Sequence, residues 1–115
     1  MEPQDPAQVP AKRLKLRRML TDILGTTGAQ ETRTYFQSPG SEMMKYPAIV
    51  YERSRIQNRF ADDRVYLQSD EYQITVIDEN PDSEIVRQVS LLPKCQHDRH
   101  FVADNLHHDV FTIYI

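Results

Sequence analysis

The stretch EYQITVIDENPDSEIVRQV at 71–89 changes its hydrophobic period halfway along. Up to Ile77, the residues Tyr72, Ile74 and Val76 alternate with Gln73 and Thr75, the period of two required of a strand with one buried face. Beyond it, Ile85, Val86, Val89 and Leu92 recur at helical spacing. Asn80 can cap this helix, Pro81 suits its first position, and Asp82 and Glu84 complement the positive end of its dipole. Pro93 ends it. The spacing therefore predicts a strand over 65–79 running directly into a helix over 80–93. That junction constrains the chain more than any other feature, because strand and helix must bury their apolar faces against each other.

The remaining segments fit around this junction. AKRLKLRRMLTDILG places Leu16, Leu20, Ile23 and Leu24 on one stripe of a helix over about 11–24, with Gly25 as its stop. Strands are predicted at 31–38, rich in β-branched and aromatic residues, and at 48–53, where Ile49 and Tyr51 share a face. Residues 39–47 read as a loop. Residues 54–64 are polar, arginine-rich and aperiodic, and read as a long hairpin connection or extended loop. Two last strands, 95–103 and 109–115, flank a polar turn, DNLHH. There is no βαβα alternation. The expected fold is α+β: a mainly antiparallel sheet with two helices packed on one face. Residues 11–115 are expected to form a single domain, and 1–10, with Pro3, Pro6 and Pro10 among polar residues, a flexible arm.

Charge is segregated along the chain. Residues 1–18 carry five basic and two acidic groups, whereas 19–115 carry nine basic and fifteen acidic ones. The cations Lys12, Arg13, Lys15, Arg17 and Arg18 crowd the start of the first helix, where the dipole disfavours them, so something outside the helix is expected to compensate. Five cations in seven residues also suit a nucleic-acid contact, against the plainer reading of a solvated helix face. The single cysteine, Cys95, excludes an internal disulfide and fits a reducing compartment such as the cytoplasm. No apolar run reaches the ~18 residues needed to span a bilayer, so no membrane partner is expected.

The strongest hint of chemistry is the density of ligands at the C-terminal end. Cys95, His97, His100, Asp104, His107, His108 and Asp109 fall within fifteen residues. A zinc site needs three or four side chains converging on one point. Neighbouring side chains on a strand point to opposite faces, so His97 and His100 are expected to diverge, and His107 and His108 likewise. The reading is a polar hairpin with no metal and no cofactor. Cys95 has no nucleophile signature around it, and the pairs Asp62–Asp63, Asp70–Glu71 and Asp78–Glu79 read as turn residues. No constellation indicates an enzyme. Arg55, Arg59 and Arg64, interleaved with Asp62 and Asp63, are expected to lie at a subunit interface or facing the lumen of an assembly.

Three longer stretches, MKYPAIVYERS, NRFADDRVYLQSDEYQITVIDENPDSEI and CQHDRHFVADNLHHDVFTIYI, together resemble the tail terminator and tail completion (head–tail joining) proteins of long-tailed bacteriophages. The resemblance runs from about Lys45 to Ile115. It implies a structural virion protein of the neck, assembled in the host cytoplasm. Such a protein forms a hexameric ring that caps the tail tube and meets the head connector. The implied partners are further copies of the chain, the tail tube protein, the head–tail connector proteins and, in passing, genomic DNA. No catalysis is implied. A head completion or minor capsid connector role, and a small nucleic-acid-binding module using the basic helix, stand as alternatives.

Overall fold

The computed structural model describes residues 11–28, 33–36 and 45–115, with backbone only for 65–67. The elements are α1 (Ala11–Thr26), β1 (Thr34–Phe36), β2 (Ala48–Ala61), β3 (Arg64–Asp78), α2 (Glu84–Ser90), β4 (Cys95–Ala103) and β5 (Leu106–Tyr114). The strands form a five-stranded sheet in the order β1-β2-β3-β5-β4. Among the described residues only the β1–β2 pair is parallel. The protein is an α+β fold, as its sequence predicts. The expected arm over 1–10 and much of the loop over 39–47 lie outside the described residues.

Register places Ile49 and Tyr51 of β2, Tyr72, Ile74 and Val76 of β3, and Phe111 and Ile113 of β5 on one face of the sheet. These residues cluster with Leu16, Leu20, Ile23 and Leu24 of α1 and with Ile85 and Val89 of α2. Both helices therefore cover the same face. The α1 stripe is buried as its spacing requires, and each such aliphatic side chain contributes roughly 1.5–3 kcal/mol by leaving water.

Three expectations about where elements end need correction. Gly25 does not stop α1. The helix runs on to Thr26, Thr27 N donates to Ile23 O at 3.0 Å, and the left-handed residue is Gly28 at φ 84°. The second helix is also shorter than 80–93. Asp78 Oδ1 accepts from Asn80 N at 3.0 Å, and Asn80 Oδ1 accepts from Asp82 N at 2.9 Å. These bonds hold Asn80, Pro81 and Asp82 in a turn, because short polar side chains offer the backbone an alternative to the helix. Ser83 is the N-cap residue, and α2 spans seven residues. Finally, the turn between the last two strands is only Asp104–Asn105, with φ of 53° and 63°, and His107 and His108 belong to β5.

The largest departure concerns 54–64. These residues are not a loop. β2 continues to Ala61, turns through Asp62 and Asp63, and returns as β3 from Arg64. Both turn residues have positive φ, 53° and 62°, as a two-residue hairpin turn compatible with strand twist requires. The chain beyond β5 stays bonded to β3 as far as Asp70, whose backbone exchanges bonds of 3.0 and 3.2 Å with Ile115, and among the described residues β1 pairs with β2 over Ile49–Tyr51. Among the described residues the far parts of β2 and β3 therefore leave the sheet as a two-stranded ribbon about 25 Å long at ~3.3 Å per residue. The molecule measures 51 × 35 × 25 Å. Its radius of gyration, 15.3 Å, exceeds the roughly 13 Å expected of a compact chain this long.

Candidate functional site

The ribbon is anchored at its root by one carboxylate. Ser54 Oγ donates to Glu71 Oε2 at 2.7 Å, Arg55 Nε lies 3.0 Å from the same oxygen, and Tyr114 Oη donates to Oε1 at 3.0 Å. Ser54 is the extra residue of a bulge between Arg53 and Arg55, which turns its hydroxyl toward Glu71. The Ser54 hydrogen bond does most to hold the Glu71 carboxyl below the usual range; burial opposes it next, and the Tyr114 hydrogen bond and the Arg55 charge and hydrogen bond add to the lowering. On the other face Lys12 reaches from α1 to the ribbon. Its Nζ donates to Gln68 O at 3.3 Å and stands 3.8 Å from Asp70 Oδ1. This compensates one of the five cations at the basic start of α1.

Beyond the root the ribbon is wet. Every β2 residue from Glu52 to Ala61 is exposed, including Ile56 at 44% and Phe60 at 67%. Asn58 and Gln68 bond across it, Nε2 to Oδ1 at 2.9 Å. Of the residues picked out from the sequence, Arg59, Asp62, Asp63 and Arg64 lie toward the tip, and Asp62 and Asp63 form the turn itself. Arg55 sits apart at the root and pairs with Glu71 rather than with the turn aspartates. Sequence reasoning passed over Ile56 and Phe60. The signal was two large apolar residues, spaced by four, in an otherwise polar run.

The five cations of the basic helix separate. Lys12 is engaged with the ribbon, and the Arg13 guanidinium lies over the Phe36 ring at 4.5 Å, itself 5.3 Å from the ring of Tyr51. Lys15, Arg17 and Arg18 are exposed. Burial raises the Tyr51 and Tyr72 phenols, and the nearby Arg13 charge opposes it at both.

The histidines depart from simple alternation. A register shift between His97 and Arg99 makes Asp98 a bulge, so His97 and His100 share a face instead of diverging. Asp109 and His107 lie on that face too. His97 Nε2 is 3.0 Å from Asp109 Oδ1, and His100 Nε2 is 3.1 Å from His107 Nδ1 with the rings stacked. His108 faces the other way as expected and stacks on Phe101 at 4.6 Å. The result is two separate pairs. Among the described residues no group of three or more His, Cys, Asp or Glu side chains is placed to hold a metal ion. Cys95 is half-buried, and burial, then the Asp98 charge, pushes its thiol up to about 11. No described helix is long and apolar enough to cross a membrane. No model of a known protein family and no curated protein sequence matches this chain.

Proposed function

We propose that this chain is a structural subunit of the neck of a long-tailed bacteriophage. Copies close into a ring that caps the tail tube and joins it to the head connector, with no catalytic step. The observation that carries this reading is the ribbon. A two-stranded hairpin with water on both faces is marginally stable alone, and this one holds Ile56 and Phe60 away from its own core. A neighbouring subunit is the natural cover for such an arm. An arm on one side of a subunit and a receiving surface on another make a heterologous contact, which gives a ring when its rotation closes and an open filament when it does not. The resemblance of residues 45–115 to tail terminator and completion proteins supplies the neck. A DNA-binding module is less well supported, because Lys12 and Arg13 are engaged within the fold.

The test is assembly. Light scattering and native mass across a concentration series should find a closed oligomer for the wild type. Ile56→Asp with Phe60→Asp should leave a folded monomer, and phage carrying both changes should yield unjoined heads and tails or tails of uncontrolled length. A wild-type protein that stays monomeric at high concentration, and also with purified tail tubes, would sink the ring.

A further inference from the structure

Resting on the ring reading, a second surface can be assigned. We infer that the outer edge of β4 from His100 to Ala103 receives the neighbouring copy's ribbon, strand against strand. β4 is the last strand of the sheet, so among the described residues its outer backbone groups have no strand to pair with. An open edge of this kind is a template for another strand, and folded proteins usually blunt it with bulges and charges. The first half of β4 is blunted in this way, by the bulge at Asp98 and the charge of Arg99. The second half is not. From His100 the strand runs His-Phe-Val-Ala, with Phe101 39% and Val102 55% exposed, one on each face of the sheet.

The ribbon is the matching half. Past Tyr51, β2 has no strand on its outer side among the described residues. That free edge is longer than the roughly 13 Å offered by four residues of β4 at ~3.3 Å each. It carries Ile56 and Phe60, exposed residues that a strand laid beside Phe101 and Val102 would cover. Charge agrees. The strand that would dock, 53–60, holds three arginines, one of them paired with Glu71, and no acidic residue, whereas 96–109 hold three aspartates and one arginine. A basic strand meets an acidic hairpin, which favours unlike edges over pairing of two ribbons or of two β4 strands. Main-chain hydrogen bonds would supply affinity, and the apolar pairs and charges would set the register.

Hydrogen exchange on the wild-type protein, with the assembled and monomeric fractions separated by size, tests this. Amides in both 100–103 and 55–60 should exchange at least ~10-fold more slowly in the assembly. Val102→Lys, at an exposed site, should keep the thermal midpoint of the monomer and raise the concentration for half-assembly at least ~10-fold. Assembly with the ribbon protected, but with 100–103 exchanging as in the monomer and Val102→Lys assembling like the wild type, would overturn the β4 assignment and leave the ring intact. A wild type that never assembles would overturn both.

Discussion

Tyr114 Oη donates to Glu71 Oε1 across 3.0 Å, joining the last residue of β5 to the root of the ribbon. The contact spans 43 positions of sequence, and it sits where the five-stranded sheet narrows to two strands. Ser54 and Arg55 hold the other carboxylate oxygen, so Glu71 sets the direction in which the ribbon leaves the body. Its pKa lies below the usual 4.5. A carboxyl with a depressed folded pKa contributes stability that is full above its unfolded pKa and is lost as pH falls through the folded one. Ribbon amides, corrected for intrinsic exchange, should therefore lose protection below about pH 4.5, while core amides such as that of Ile74 hold theirs. Glu71→Gln should show the loose ribbon at neutral pH and abolish this part of the acid dependence.

Leu20 is fully buried between α1 and the sheet. Leu20→Ala should cost about 2–5 kcal/mol in denaturant unfolding, from lost transfer energy plus the cavity left behind. A change within ~0.5 kcal/mol would mean that α1 does not close the core as described.

Asn105 stands at φ 63°, in the left-handed region, at the tip of the β4–β5 hairpin. Asn105→Val should cost roughly 1–2 kcal/mol, because a β-branched side chain meets the following carbonyl there. Asn105→Gly should be neutral or slightly stabilising, since glycine adopts that conformation without a steric penalty. Equal effects from the two substitutions, measured by thermal unfolding, would rule out this turn geometry.

Cys95 is half-buried near Asp98, and its thiol titrates near 11 instead of the usual 9.0. At neutral pH it should react with iodoacetamide about 100-fold more slowly than a free thiol, because the thiolate is the nucleophile. The rate should climb as pH approaches 11. For stability the sign is opposite to that of Glu71. The contribution is full below 9.0 and is lost as pH rises from there toward about 11. Cys95→Ala should remove that alkaline slope.

Much of the body was legible in the sequence. Leu16, Leu20, Ile23 and Leu24 recur at a period near 3.6, and Tyr72, Ile74 and Val76 at a period of two. In each case burial of one face imposes the spacing, so spacing reveals the face. The α+β class followed from the order of such segments. The ribbon was illegible for the same reason inverted. With water on both sides of 54–61 no face is buried, no period is selected, and a regular strand looks like a loop. Only the Asp62–Asp63 turn and the long antiparallel register reveal it.

The candidate surfaces divide along the same line. Residue types alone marked the charged stretch from Arg55 to Arg64 and the histidine-rich end. Tertiary structure decided that Arg55 belongs to the root with Glu71 and Tyr114, while Arg59 and Arg64 lie toward the tip. It also brought His97 and His100 onto one face, because a single bulged residue reverses the parity of every side chain after it. Bulges, turn conformations and partners more than forty residues away depend on how strands meet. A linear pattern records burial well, and it does not record pairing.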